Sequence, residues 1–360
     1  MEFVYEEGKQ KIHQAPTLIM PALSTGNVGQ LAIDLLVSTM NAERIGYLDD
    51  PFVLPCVGND AYGSTPTGVL ALPLEAYVSP HNSLTLIQQR SPVIKGMMIE
   101  FAKHVAEFAA TNGREHVIVL SSLSSGRNPK VDDLRETYYI SSSTDDGRDD
   151  HCEKLGWKRL PEYNPGQRHW LYLHALAEGN NLLEESPFSE DEISDEAYYP
   201  SLPFAALFSH CKLMTYDILR VWNSLNNSIG NQQPVGSSGK GLVPLKRGLE
   251  FESRGHAKNV SVISVWFVNC IVSHDEEEIV LTKLLSIWHQ AKGLKVTCIL
   301  CYCSEGDNAQ DSFQLAEDAC KLLGLDPNNL HGRSNGRQLA HNLSSLLAAL
   351  MAPSLYFIKT

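Results

Sequence analysis

Apolar residues recur along the chain at two periods, and the alternation between them predicts layered elements. Leu18–Met20 is a short apolar run of strand type. Val28, Leu31, Ala32, Leu35, Leu36 and Thr39 then repeat at helical spacing, with Thr25 or Asn27 placed to cap the helix. Arg44–Leu48 reads as the next strand. The chain therefore begins strand–turn–helix–strand, the unit of a layered α/β fold. Gly58, Asn59 and Gly63 mark a loop. Val69–Val78 and Ser83–Arg90 predict two strands about a turn at Pro80, His81 and Asn82.

Met98, Phe101, Ala102, Val105, Phe108 and Ala109 form the cleanest amphipathic pattern in the chain, ended by Asn112 and Gly113. His116–Ser122 follows as a bounded apolar strand. Ser141–Asp150 is polar and acidic and reads as a loop, with Asp145–Asp150 a solvated charge run. Arg168–Ala177 fits a strand or a helix. Glu184–Glu196 reads as an acidic surface loop, and Pro203–Lys212 opens a helix. Lys295–Cys303 has strand length, and Gln310–Leu325 follows as a helix with Phe313, Ala316, Ala319, Cys320 and Leu323 on one face and Gly324 as its stop. The rhythm breaks over 213–290. That stretch holds three of the five tryptophans but little apolar periodicity, and a structureless run of such length is unusual inside a compact domain.

Composition narrows the classes. The 360 residues are 43% hydrophobic and 20% charged, as in a globular protein of one large or two ordinary domains. A formal net charge of −13 opposes general binding to nucleic acid or to anionic membranes, though it allows a basic protein partner. The opening residues carry no apolar signal segment. The longest apolar run, Val260–Ser273, is short for a bilayer and contains Asn269, so no transmembrane helix is expected. Eight scattered cysteines in a chain of this length imply reduced thiols rather than a disulfide scaffold.

The search for chemistry returns no converging constellation. The stretch Ser24–Gly29 between strand and helix invites comparison with phosphate loops. It lacks the lysine of a Walker loop, and Ser24 stands where a dinucleotide fingerprint has its first glycine. A helix N-terminus can still attract an anion. The preferred reading is structural: Gly26, Asn27 and Gly29 form a sharp turn that lets helix and sheet approach. Cys298, Cys301 and Cys303 lie among strand residues and read as buried thiols rather than metal ligands. His104 follows Lys103 and reads as solvated. His169, His174 and His341 have no partner at ligand spacing, and no base accompanies Ser121, Ser122, Ser124 and Ser125. No catalytic residue, metal site or cofactor is expected.

Four blocks carry a specific resemblance. Leu18–Gly63, "QQRSPVIKG" (Gln88–Gly96), "VIVLSSLSSGR" (Val117–Arg127) and "SEGDN" (Ser304–Asn308) resemble the proteasome assembly chaperone 2 family, over Met1 to about Lys212 and again from Ala291 to about Leu330. The resemblance implies a three-layer α/β/α sandwich of phosphorylase/hydrolase type, without catalytic machinery. It implies a heterodimer with proteasome assembly chaperone 1 that binds α-subunits of the core (20S) proteasome and promotes the α-ring, in cytoplasm and nucleus. It also supports the structural reading of Gly26–Gly29.

Two departures accompany the resemblance. Residues 1–212 and 291–330 form one α/β domain, contiguous in the family, so 213–290 is an unmatched, largely irregular insertion. A retained intron or a wrong gene model accounts for it; a regulatory insertion is the alternative. The tail, 331–360, is atypical. Leu355, Tyr356 and Phe357 match the hydrophobic–tyrosine–any pattern by which such proteins dock a terminal carboxylate, but three residues follow, and the expected tryptophan-bearing segment is missing. The rival readings are a phosphorylase-like enzyme that binds a nucleoside or phosphate, and an inactive isoform of the chaperone.

Overall fold

In the computed structural model the described residues are 1–9, 15–59, 62, 70–79, 83–125, 136–180, 186–188, 202–213, 294–304, 306–326 and 356–357. The apolar run Val260–Ser273, the acidic stretch Glu184–Glu196 apart from 186–188, and most of the expected insertion and tail lie outside them. The chain divides into two units, Met1–Asp217 with Gly293–Thr360, and Ile218–Lys292. Every described element belongs to the first.

Strand β1 (Glu2–Tyr5) opens the chain and β2 (Thr17–Pro21) follows. A 3-10 turn, Thr25–Asn27, leads into α1 (Val28–Thr39) and then β3 (Glu43–Asp49). Next come β4 (Cys56–Asn59), β5 (Leu70–Ala71), β6 (Leu74–Ser79) and β7 (Leu84–Gln89). Helix α2 (Met98–Thr111) precedes β8 (His116–Ser124) and β9 (Thr137–Ser141). Then follow α3 (Asp150–Lys154), β10 (Lys158–Arg159), α4 (Arg168–Ala177) and α5 (202–213). Strand β11 (Lys295–Cys303), α6 (Ala309–Leu322) and β12 (Tyr356–Phe357) complete the described chain.

Nine strands form one mixed sheet in the order β1-β3-β6-β7-β2-β8-β11-β9-β10. The centre is parallel: β2 pairs with β7 and β8, and β8 with β11. These strands read as unbroken apolar runs because both faces are covered. Leu18, Met20, Val117, Val119, Val296, Cys298 and Leu300 face one cluster, with α2, α4 and α5; Ile19, Ile118, Leu120, Ile299 and Cys301 face the other, with α1 and α6. This is the expected α/β class. Burial, rather than capping, holds the helices. Neither α1, α2 nor α6 has a side-chain cap hydrogen bond, a feature worth about 1 kcal/mol. Leu31, Ile33, Leu35 and Leu36 of α1 are each fully buried, at about 1.5–3 kcal/mol apiece.

Topology departs from sequence order in three places. Strand β3 does not join β2; it pairs with β1 and β6, and β6 and β7 lie between it and β2. Strand β11 inserts between β8 and β9, so the sheet's centre combines residues from both sides of the expected insertion. Gly58 and Asn59, expected in a loop, pair with Ala71 and Leu70 as a strand in a separate sheet, β12-β4-β5. Pairing with the next strand in sequence makes a strand of residues whose own preference is for a turn.

Candidate functional site

In open α/β sheets ligands bind outside the carboxyl ends of the parallel strands, where helices begin. Here that place lies beyond β2, β8 and β11, and three of the distinctive sequence blocks meet in it. Gly26 (φ 65°) and Asn27 (φ 54°) take successive left-handed conformations, and Asn27 N–H closes the turn on Ser24 O at 3.1 Å. The side chain of Asn27 does not cap α1. Gly29 lies against β8: a Cβ there would stand 2.4 Å from the Leu120 carbonyl oxygen. A Cβ on Gly26 would stand 1.8 Å from Asn308 Nδ2. Ser122 Oγ donates to Thr25 O at 2.6 Å, and Cys303 Sγ approaches the same oxygen at 3.4 Å. Asn308, almost fully buried, turns its amide to Gly306 O and receives Ser312 Oγ on its carbonyl. The turn is thus packed closely against β8, and Asn308 leaves no room for a side chain at Gly26. Among the described residues the buried hydroxyl of Ser24 has no hydrogen-bond partner.

A second cluster was not foreseen. Arg90, just beyond β7, bonds Asp34 of α1 at 3.1 Å and Glu75 of β6 at 2.6 Å, and the three side chains are buried. Gln88 Nε2 donates to Asp34 Oδ1 at 2.6 Å, Tyr62 OH to the same oxygen at 2.5 Å, and Arg44 Nη1 to Glu75 at 2.8 Å. Burial opposes the Arg90 charge, but Asp34, Tyr62 and Glu75 outweigh it and hold the guanidinium protonated. Burial, then Asp34, pushes the Tyr62 phenol well above its ordinary range. The available signal was an aspartate inside the apolar run of α1; spacing alone could not name its partner.

A third cluster sits at the amino-terminal end of β11. Asp149, expected to be solvated, is buried and accepts Lys295 Nζ at 2.6 Å, Ser143 Oγ at 2.8 Å, Ser141 Oγ at 3.1 Å and His151 N–H at 2.9 Å, the last as the cap of α3. Burial raises its carboxyl pKa, but Lys295, Ser143 and the His151 amide together hold it well below the usual range. Beside it His116 Nε2 meets Thr297 Oγ1 at 3.0 Å; burial and then Lys295 lower its pKa to about 4. Lys212, near the end of α5, donates to Asp145 O at 3.0 Å and to Tyr163 OH at 2.8 Å. One loop, 142–149, therefore grips the chain on both sides of 213–294.

The remaining expected positions fall as follows. His104, expected to be solvated, is only partly exposed: it bonds buried Asp50 at 2.7 Å and stacks on Phe52. Cys298, Cys301 and Cys303 are buried on β11, and burial raises all three thiols. Among the described residues no group of three or more His, Cys, Asp or Glu is placed to hold a metal ion, and no helix is long and apolar enough to cross a membrane. Leu355 lies outside the described residues; Tyr356 and Phe357 form β12, paired with β4.

Fold and site together define an α/β protein in which the turn after β2 packs closely against β8 and Asn308. The chain belongs to the PAC2 family, whose family model matches residues 18–226. It is similar to proteasome assembly chaperone 2 of Nematostella vectensis, 36% identical over 151 residues, covering 40% of this chain and 61% of that protein. To proteasome assembly chaperone 2 of Homo sapiens it is 36% identical over 149 residues, covering 40% and 56%. The chain thus matches less than two thirds of each relative's own length. Among solved structures it is similar to PbaA of Pyrococcus furiosus, described as an archaeal homolog of proteasome-assembly chaperone, with a TM-score of 0.47 at 14% identity over 95% of this chain and 96% of that one.

Proposed function

We propose that this chain acts in assembly of the core proteasome, in cytoplasm and nucleus, as half of a heterodimer with proteasome assembly chaperone 1. In this reading it binds α-subunits and promotes the α-ring; it excludes competing partners and transforms no substrate. The observation that carries the reading is the 36% identity, over about 150 residues, to relatives named proteasome assembly chaperone 2. The close packing at Gly26 and Gly29 supports it. The rival, a phosphate- or nucleoside-binding enzyme, needs room at Gly26–Gly29, where Asn308 and the Leu120 carbonyl now stand.

The test is a pull-down from matching cell extract with the tagged chain and, beside it, a version lacking 213–290, partners being identified by mass spectrometry. Capture of the sister chaperone and α-subunits by both supports the function and makes the insertion passive. Capture by the deletion alone makes this chain an inactive form of the chaperone. Capture by neither, with the deletion folded by thermal melting, overturns the proposal. A phosphate-dependent thermal shift would favour the enzyme instead.

A further inference from the structure

Strand β4 is divided between two partners. Gly58 and Asn59 pair with β5, next in sequence. Cys56 and Val57 pair antiparallel with Phe357 and Tyr356 of β12, from the far end of the chain. β12 belongs to the same compact unit as β4. Without it, the Cys56–Val57 stretch would present unpaired N–H and C=O groups, which is how a sheet edge recruits an extended peptide.

We propose that the Cys56–Val57 edge is a strand-accepting site, that the segment around Tyr356–Phe357 is its resident ligand, and that this ligand is exchangeable. The register covers two residues, so few hydrogen bonds hold it, and each is worth little net of water. What keeps such a segment in place is its covalent tether, which makes docking intramolecular. The sequence Leu355–Ile358, apolar and aromatic, is of the type that suits a strand. While Tyr356–Phe357 lies on β4, the backbone of those two residues cannot add to another sheet. If the proposed function holds, the segment carrying the docking pattern is therefore stowed on its own domain; the strand exchange itself does not depend on that function.

The experiment uses the full chain. In the double variant Tyr356→Pro/Phe357→Pro neither residue can donate to a ladder. Hydrogen exchange read by mass spectrometry should be at least about tenfold faster at the 56–57 amides than in the native chain, with the melting temperature unchanged. A labelled peptide of residues 350–360 should bind the variant saturably, bind the native chain at least about tenfold more weakly, and restore slow exchange at 56–57. If the variant melts early, a chain lacking 354–360 replaces it. Equal exchange with and without β12 overturns the proposal, as does a peptide that leaves exchange at 56–57 fast at millimolar concentration. Protection in the native chain that vanishes on dilution would put a second copy's strand there and overturn the assignment within one chain.

Discussion

Asp149→Ala tests the grip of loop 142–149 on β11. The substitution removes the cap of α3, worth about 1 kcal/mol. It also takes the carboxylate acceptor from the buried hydroxyl of Ser141, at about 1–2 kcal/mol once it relaxes towards other acceptors, while exposed Ser143 can turn to water. Lys295 is about one third exposed and can turn to water, so its ion pair adds under about 1 kcal/mol. The expected loss is about 3 kcal/mol, which at an m-value of about 3 kcal/mol/M lowers the urea midpoint by about 1 M. Asp149→Asn keeps an acceptor for the cap and hydroxyls and should lose about 1 kcal/mol. The pH dependence has a definite sign. The folded carboxyl is held below its unfolded value of about 3.9, so its contribution is complete above about pH 5 and shrinks as pH falls. The gap between native chain and Asp149→Asn should therefore narrow from pH 5 to pH 2. Unfolding followed by the fluorescence of buried Trp157 and Trp170 measures both quantities. A loss under about 1 kcal/mol for the alanine variant, or a gap unchanged across that pH range, refutes the reasoning.

Three further outcomes are expected. Gly29→Ala drives a Cβ against the Leu120 backbone, and a loss of about 3 kcal/mol would lower the melting temperature by about 6–12 °C; Gly26→Ala should be partly rescued by Asn308→Ala, and no rescue at all would contradict close packing there. Arg90→Met leaves Asp34 buried without a cation and Glu75 with Arg44 alone, and should cost about 3–5 kcal/mol in urea unfolding, with Arg90→Lys only partly restoring it; a loss under about 1 kcal/mol would mean that Asp34 reaches water. The thiols of Cys298 and Cys301, raised by burial, should resist a thiol reagent at pH 8 until the chain unfolds, and reaction at the rate of a free thiol would refute their placement.

The strands of the sheet's centre and the long helices were legible because their signal is local. A helix such as Met98–Thr111 shows its buried face at a 3.6-residue period, and a strand covered on both faces, such as Lys295–Cys303, is a plain apolar run. Arg168–Ala177 was ambiguous for the same reason: its ten residues bury only Trp170 and Leu173, too few to separate the two periods. The polar sites were misjudged. Asp149 lies in an exposed-looking acidic stretch and His104 follows a lysine, yet each is drawn inward by one partner from another element, Lys295 and Asp50.

By itself the sequence determined the α/β class, the turn at Gly26–Gly29 as a place of close approach, and the resemblance to one family. Periodicity, glycine placement and distinctive blocks are all read within a few dozen residues. Only the tertiary structure decided that β11 enters between β8 and β9, that Asn308 fills the space beside Gly26, that Arg90 joins Asp34 to Glu75, and that Tyr356–Phe357 rests on β4. Each of these brings together residues far apart in the chain. Such contacts depend on which strand lies beside which, and hydrophobic pattern specifies that a face is buried without specifying its neighbour.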